Sequence, residues 1–112
     1  MVDSVCCGGR AWTEGDMTPD NFKRSLAAKV PPPGLSAALR ALWWCANGNW
    51  DKAHRIVMDE HGHDCAWAHA YLHRVEGDLE NAAYWYRQAR RKPATQELAA
   101  EWIEIVASLL ET

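Results

Sequence analysis

An all-helical fold follows from three features of the sequence. Apolar residues recur at three- and four-residue spacing in one segment after another. No segment alternates with the two-residue period of a half-buried strand. The helical segments are separated by turn signals built from glycine, asparagine, aspartate and proline. At 112 residues the chain makes one domain with a modest hydrophobic core.

Six helices can be placed in order. Residues 1–15 carry Gly8, Gly9 and Gly15 without periodicity, which predicts a disordered tail ahead of a single domain over 16–112. "TPDNFKRSLAAK" starts the first helix, with Thr18 as N-cap, Pro19 at the first helical position and Asp20 in the first turn. Phe22, Leu26 and Val30 form its apolar side, and "PPPG" at 31–34 ends it, because a residue before proline leaves the α region. The second helix runs from Leu35 to Asn47 with Leu35, Leu39, Leu42, Trp43 and Ala46 in register, closed by Asn47-Gly48-Asn49. The third, Trp50 to Asp59, places Trp50, Ala53, Ile56 and Val57 on one side. After a His61-Gly62-His63 turn, Asp64 is the expected N-cap of a fourth helix ending near Glu76, with Trp67, Ala68, Tyr71, Leu72 and Val75 apolar. Gly77-Asp78 leads into a fifth helix over 79–91, stopped by Pro93. Thr95 is the expected cap of the sixth, Gln96 to Leu110, with Leu98, Trp102, Ile105, Val106 and Leu109 inside. Its outer stripe is Glu97, Glu101, Glu104, Ser108 and Glu111, read as a solvated face.

The formal charge of −3 makes no electrostatic case for nucleic acid. "YWYRQARRK" joins aromatic and basic residues, but aromatics around most of a helix indicate one sandwiched between neighbours, here the fourth and sixth helices. Arg87, Arg90, Arg91 and Lys92 then face solvent or the glutamate stripe. "MVDSVCCGGR" has neither a basic n-region nor a long apolar run, and no stretch reaches the length of a membrane span. The expectation is a cytoplasmic protein with no membrane association and with reduced cysteines, Cys45 and Cys65 being small core residues.

"ALWWCANGNWDKAH" aligns with "AYLHRVEGDLENAA" at an offset of 29 residues, bringing Gly48 onto Gly77, Asn49 onto Asp78, Trp50 onto Leu79 and Ala53 onto Ala82. A helix–turn–helix unit recurring at this period is the signature of a helical solenoid. The small residue after the turn lets two helices approach, and the large one beside the glycine wedges between them. "GDLENAAYWYRQARRKP" resembles the second half of a tetratricopeptide repeat, through Gly77, Asp78, Leu79, Ala82, Tyr86, Ala89 and Pro93. Ala41 and Ala70 stand at the family's small position in the first helix of each copy. The resemblance implies two degenerate tetratricopeptide-like hairpins, at about 34–62 and 63–93, with an N-terminal helix and a capping helix over 95–111. The first copy lacks the late alanine and the proline. Two hairpins are fewer than such arrays generally need, so the first and last helices, or a second copy of the chain, must close the core.

"HGHDCAWAHAYLHR" holds four of the five histidines, and His54 lies just upstream. Cys65, His69 and His73 follow at i, i+4 and i+8, with Glu76 continuing the line. Two histidines at i, i+4 suit zinc, but Cys65 and His73 are roughly 12 Å apart along the axis and cannot share an ion. A complete site needs His69 and His73 plus a group from elsewhere, such as His54, Asp59 or Glu60, or the His61-Gly62-His63 turn. The preferred reading is structural: the repeat alignment puts His69 and His73 where the first helix packs on the second, as neutral imidazoles bonded to a carbonyl or a tyrosine. For acid–base work the pair to suspect is His54 with Asp59 or Glu60. No nucleophile or oxyanion motif accompanies them, and no catalytic residue is assigned.

The resulting expectation is a non-catalytic helical-repeat module that binds a protein or peptide segment, or a second copy of itself, without a cofactor. The resemblance places the groove at Asp64, Trp67, Tyr71 and Arg74, with core packing the other role open to Trp67 and Tyr71. The alternative is a small metal-binding protein or metal-dependent hydrolase with zinc at the 54–73 cluster.

Overall fold

The computed structural model describes residues 17–111, so the expected tail over 1–15, with Cys6 and Cys7, lies outside the described residues. Six α-helices follow one another: α1 (Pro19–Arg24), α2 (Ala37–Ala46), α3 (Trp50–Met58), α4 (His63–Glu76), α5 (Leu79–Gln88) and α6 (Leu98–Leu110). Among the described residues there is no strand, and no helix is long and apolar enough to cross a membrane.

The repeat in the sequence is a repeat of local structure. Gly48 and Gly77 both take left-handed φ, +92° and +88°. At the first, the N–H groups of Gly48 and Asn49 bond back to Cys45 and Trp44; at the second, those of Gly77 and Asp78 bond back to Arg74 and His73. These paired bonds satisfy the carbonyls a helix end leaves open and require the left-handed residue that glycine supplies. No atom lies within 4 Å of a Cβ added at either glycine, so the requirement is conformational rather than steric. The next residue then caps the following helix: Asn49 Oδ1 accepts from the Lys52 N–H, and Asp78 Oδ1 from the Asn81 N–H. Ala53 and Ala82, both buried, sit where α3 meets α2 and α5 meets α4.

The centre of the molecule is α4, which packs on α2, α3, α5 and α6. Every residue from Cys65 to His73 is buried, so α4 is enclosed on all sides rather than along one stripe. Trp50 wedges between α3 and α4, its indole N–H donating to the Leu72 carbonyl at 2.7 Å. Its counterpart Leu79 is 67% exposed. Among the described residues α5 packs chiefly on α4, and Leu79 and Tyr84, which a third hairpin would cover, are exposed.

Instead of lying beside α5, α6 crosses the first helices of both hairpins, α2 and α4, and reaches α1. The Trp102 indole N–H donates to the Leu42 carbonyl at 3.0 Å, and the Trp102 ring meets Phe22 at a 5.6 Å centroid distance. Glu101, expected on the solvated stripe, is 1% exposed. It accepts from Arg74 Nη1 at 2.8 Å and from the Tyr86 hydroxyl. A second Arg74 nitrogen, Nη2, donates to the Gln96 carbonyl. The expected sandwich of α5 between α4 and α6 is therefore corrected: α6 covers the other side of α4, and Tyr86 reaches it through one hydrogen bond.

Helix ends depart from expectation where side chains had more than one use. α1 gives way to a 3-10 turn at Ser25–Ala27, leaving Val30 exposed; Ser25 Oγ donates to the Phe22 carbonyl and accepts from the Trp43 indole. Ser36 caps α2 through the Leu39 N–H. α4 starts one residue before the expected cap Asp64, behind Gly62 at φ +109°, and Asp64 lies in the first turn, where the helix dipole favours its charge. α5 ends at Gln88, not Arg91: Arg90 takes a left-handed φ of 61°, while the Arg91 N–H bonds the Tyr86 carbonyl and the Arg91 guanidinium lies 3.3 Å from the Trp67 ring centre. α6 starts at Leu98 after Glu97, not at Gln96 after Thr95, because the Gln96 carbonyl is held outside the helix by Arg74.

Replacing one member of a buried ion pair leaves the other charge without compensation, at a cost of about 3–5 kcal/mol. Arg74→Leu is expected to lower the urea-unfolding free energy by that order. Glu101→Gln, whose one amide oxygen still accepts from Arg74 while its NH2 can donate to the Tyr86 hydroxyl, leaves the less buried Arg74 as the unpaired charge and is expected to cost less; equal losses in the two variants would contradict the pairing.

Candidate metal centre

His69 and His73, at i, i+4 on α4, lie on the side that faces α3, and α3 carries His54 against them. His69 Nε2 is 3.0 Å from His54 Nε2. The ring centres are 4.7 Å (His54–His69), 4.9 Å (His69–His73) and 5.1 Å (His54–His73) apart. One nitrogen from each imidazole lies within 4.8 Å of the other two. In a tetrahedral zinc site, with Zn–N of about 2.0–2.1 Å, ligand nitrogens stand about 3.3 Å apart. The 3.0 Å separation of the His54 and His69 nitrogens is close to that spacing.

Neighbouring side chains hold the rings in place. His73 Nδ1 bonds Glu76 Oε1 at 2.6 Å, which leaves its Nε2 free. Trp50, oriented by its bond to Leu72, stacks on His54 at 4.8 Å and 9°. Trp85 of α5 stacks on His69 at 3.9 Å and 15°. His69 and His73 are 3% and 5% exposed, whereas His54 is half-buried. His69 Nδ1 is buried with no hydrogen-bond partner. Since Nε2 is already paired with His54, either tautomer leaves one ring nitrogen of His69 unsatisfied.

Burial, then the neighbouring His54 and His73, lower the His69 pKa to about 4. His54 is lowered by burial and by His73, against the opposing carboxylates of Glu76 and Asp51. Both imidazoles are neutral near pH 7, the form in which histidine binds metals. Three imidazole donors from two helices, one of them held by a carboxylate, make a set that can bind a divalent transition metal.

No family model, no curated protein and no solved structure matches the chain.

Of the residues singled out from sequence, His54, His69 and His73 come together. Asp59 and Glu60 are exposed and take no part in the cluster, so the suspected pairing of His54 with one of them is replaced by its contacts to His69 and His73. His61 and His63 are exposed on the turn before α4, also outside the cluster. Cys65 lies apart as well, its thiol pushed up first by burial and then by Glu60 and Asp64; burial alone raises Cys45 to about 11. Both are protonated thiols near neutral pH. Of the expected groove residues, Asp64 is exposed, Trp67 and Tyr71 belong to the hydrophobic core, and Arg74 is tied to Glu101 of α6. A cleft of about 390 Å³ lies between Trp67, Tyr86 and the 90–96 segment, and several of its polar side chains are engaged: Arg91 with Trp67, Gln96 with Glu104, and Glu101 with Arg74.

Sequence reasoning missed the roles of Glu76, Trp50 and Trp85. Glu76 and Trp50 left a signal, at i+3 from His73 and i−4 from His54, the spacings that put side chains on one helix face. Trp85 left none, because its contact depends on how α5 packs on α4.

A histidine with a lowered folded pKa binds fewer protons than its unfolded counterpart between the two values, so stability rises with pH across that interval and is flat above it. For His69 the interval runs from about pH 4 to 6.5. At roughly 1.4 kcal/mol per pH unit, the effect is on the order of 3 kcal/mol. Metal-free protein should gain urea stability over that range, and His69→Phe, which keeps a ring against Trp85, should show a clearly shallower rise; an unchanged slope would sink the assignment.

Proposed function

We propose that this protein binds a divalent transition metal, zinc by the nature of its donors, through His54, His69 and His73. The observation that carries this reading is the convergence of three imidazoles within 4.8 Å, beside a buried His69 nitrogen that has no other partner. Glu76 acts as a positioning residue: by accepting from His73 Nδ1 it fixes the tautomer and directs Nε2 toward the ion. The lowered basicity of His54 and His69 reduces proton competition at neutral pH. The scaffold is read as a tetratricopeptide-like pair of hairpins; the paired glycine turns and the packing of α4 on both α2 and α3 support that reading.

One observation favours a second reading, protein or peptide recognition on the face that includes Asp64, Trp67, Tyr71 and Arg74. α6 lies across α2 and α4, so this face accepts an amphipathic helix, here the chain's own. A partner helix would have to displace α6 and break the Arg74–Glu101 pair.

Metal content of tag-free protein purified without chelator, followed by zinc titration of the stripped protein, tests the first reading. About one zinc per chain is expected, with a zinc-dependent rise in Tm. His54→Ala, at a half-buried position, should fold and lose that rise. Glu76→Gln should weaken zinc about 10–100-fold, and Trp67→Ala should leave zinc affinity unchanged. No bound metal together with a Tm indifferent to zinc would remove this reading.

A further inference from the structure

Resting on the metal reading, we infer that an ion at this centre keeps one coordination position for solvent, and that small monoanions enter there by displacing water. The argument is one of donor number, access and charge. Zinc and cobalt(II) in nitrogen-donor protein sites take at least four ligands, and a site with three protein ligands holds water in the fourth position. Among the described residues only three donors converge. Asp78 shares a group with His73 and Glu76 but not with His54 and His69. Glu76 is bonded to His73 Nδ1, on the far side of the ring from Nε2. Cys65 is one helical turn back from His69, about 6 Å along the axis, beside Glu60 and Asp64.

Access is one-sided. Trp85 covers a face of His69 and Trp50 a face of His54, while His69 and His73 are buried. The side that reaches water carries half-buried His54 and Glu76, whose side chain is 39% exposed. Imidazoles are neutral as ligands and leave the ion's double positive charge uncancelled; of the carboxylates near them, Glu76, Asp78 and Asp51, only Glu76 is hydrogen-bonded to a ring. A site of that charge lowers the pKa of bound water and attracts small anions more strongly than a thiolate-ligated site would.

Cobalt(II) is the probe. The full chain, stripped and reloaded with one equivalent of cobalt(II), is titrated with sodium azide and separately with sodium thiocyanate at constant ionic strength. The visible d–d bands are expected to shift saturably with each anion, with His54→Ala removing the bands. Bands that form but ignore both anions would mean a closed coordination shell and would overturn this inference while leaving the metal reading intact. An intense near-ultraviolet thiolate-to-cobalt band would place a cysteine in the fourth position and overturn it equally. Absence of cobalt binding, with no zinc-dependent rise in Tm, would instead defeat the metal reading itself and this inference with it.

Discussion

The structure depends on the enclosure of α4. A helix buried from Cys65 to His73 has no solvent face for its polar side chains, so each one inside must find a partner within the protein. Toward α6, just beyond the enclosed stretch, Arg74 is answered by Glu101 and by the Gln96 carbonyl, and Tyr86 completes the carboxylate's set of donors. Burial and the bond to Glu101 together push the Tyr86 phenol up, so it remains a donor. Toward α3 and α5, His69 and His73 are answered by His54, Glu76, the stacked ring of Trp85 and an edge contact with Trp50. The first network is closed. The second retains one nitrogen without a partner, on His69.

That difference separates the two sides of α4 in the chemistry their side chains offer. A closed network of charge and hydroxyl fixes one packing arrangement, and it holds α6 across α2 and α4. The imidazole cluster has unused ligand capacity, because no group among the described residues accepts from or donates to His69 Nδ1. Stacking on tryptophan restrains the rings without using their nitrogens, so the cluster is held in place and still free to coordinate.

The repeat explains where the chain is stable and where it is left open. Both glycine turns end one helix and cap the next with the same bonds. Their consequences differ because their neighbours differ. Trp50 finds α4 beside it, whereas Leu79 finds no further hairpin and stays exposed. With α6 laid over α2 and α4, Phe22, Trp43 and Trp102 close the core at the α1 end, and α5 packs chiefly on α4.

All six helices, the two glycine turns and most inward positions were legible in the sequence, because apolar periodicity, left-handed glycine and local capping depend on residues a few positions apart; Val30, Ala46, Val75 and Leu98, expected inside, are exposed. His69 and His73 could be placed on one face for the same reason, and His54 could be named as a candidate third donor. Several outcomes needed the tertiary structure. Glu101 follows its helix's polar stripe yet is buried, since Arg74, 27 residues earlier, meets it across the α4–α6 contact. Asp59 and Glu60 stood beside His54 as possible further donors; the packing of α3 on α4 brings only His54 of the three to His69 and His73. Trp67 and Tyr71 became core rather than open groove because α6 lies over α2 and α4 instead of beside α5. Local sequence determines which elements form and which side of each is apolar, whereas the meeting of two polar faces depends on helix order in space, which no local pattern encodes.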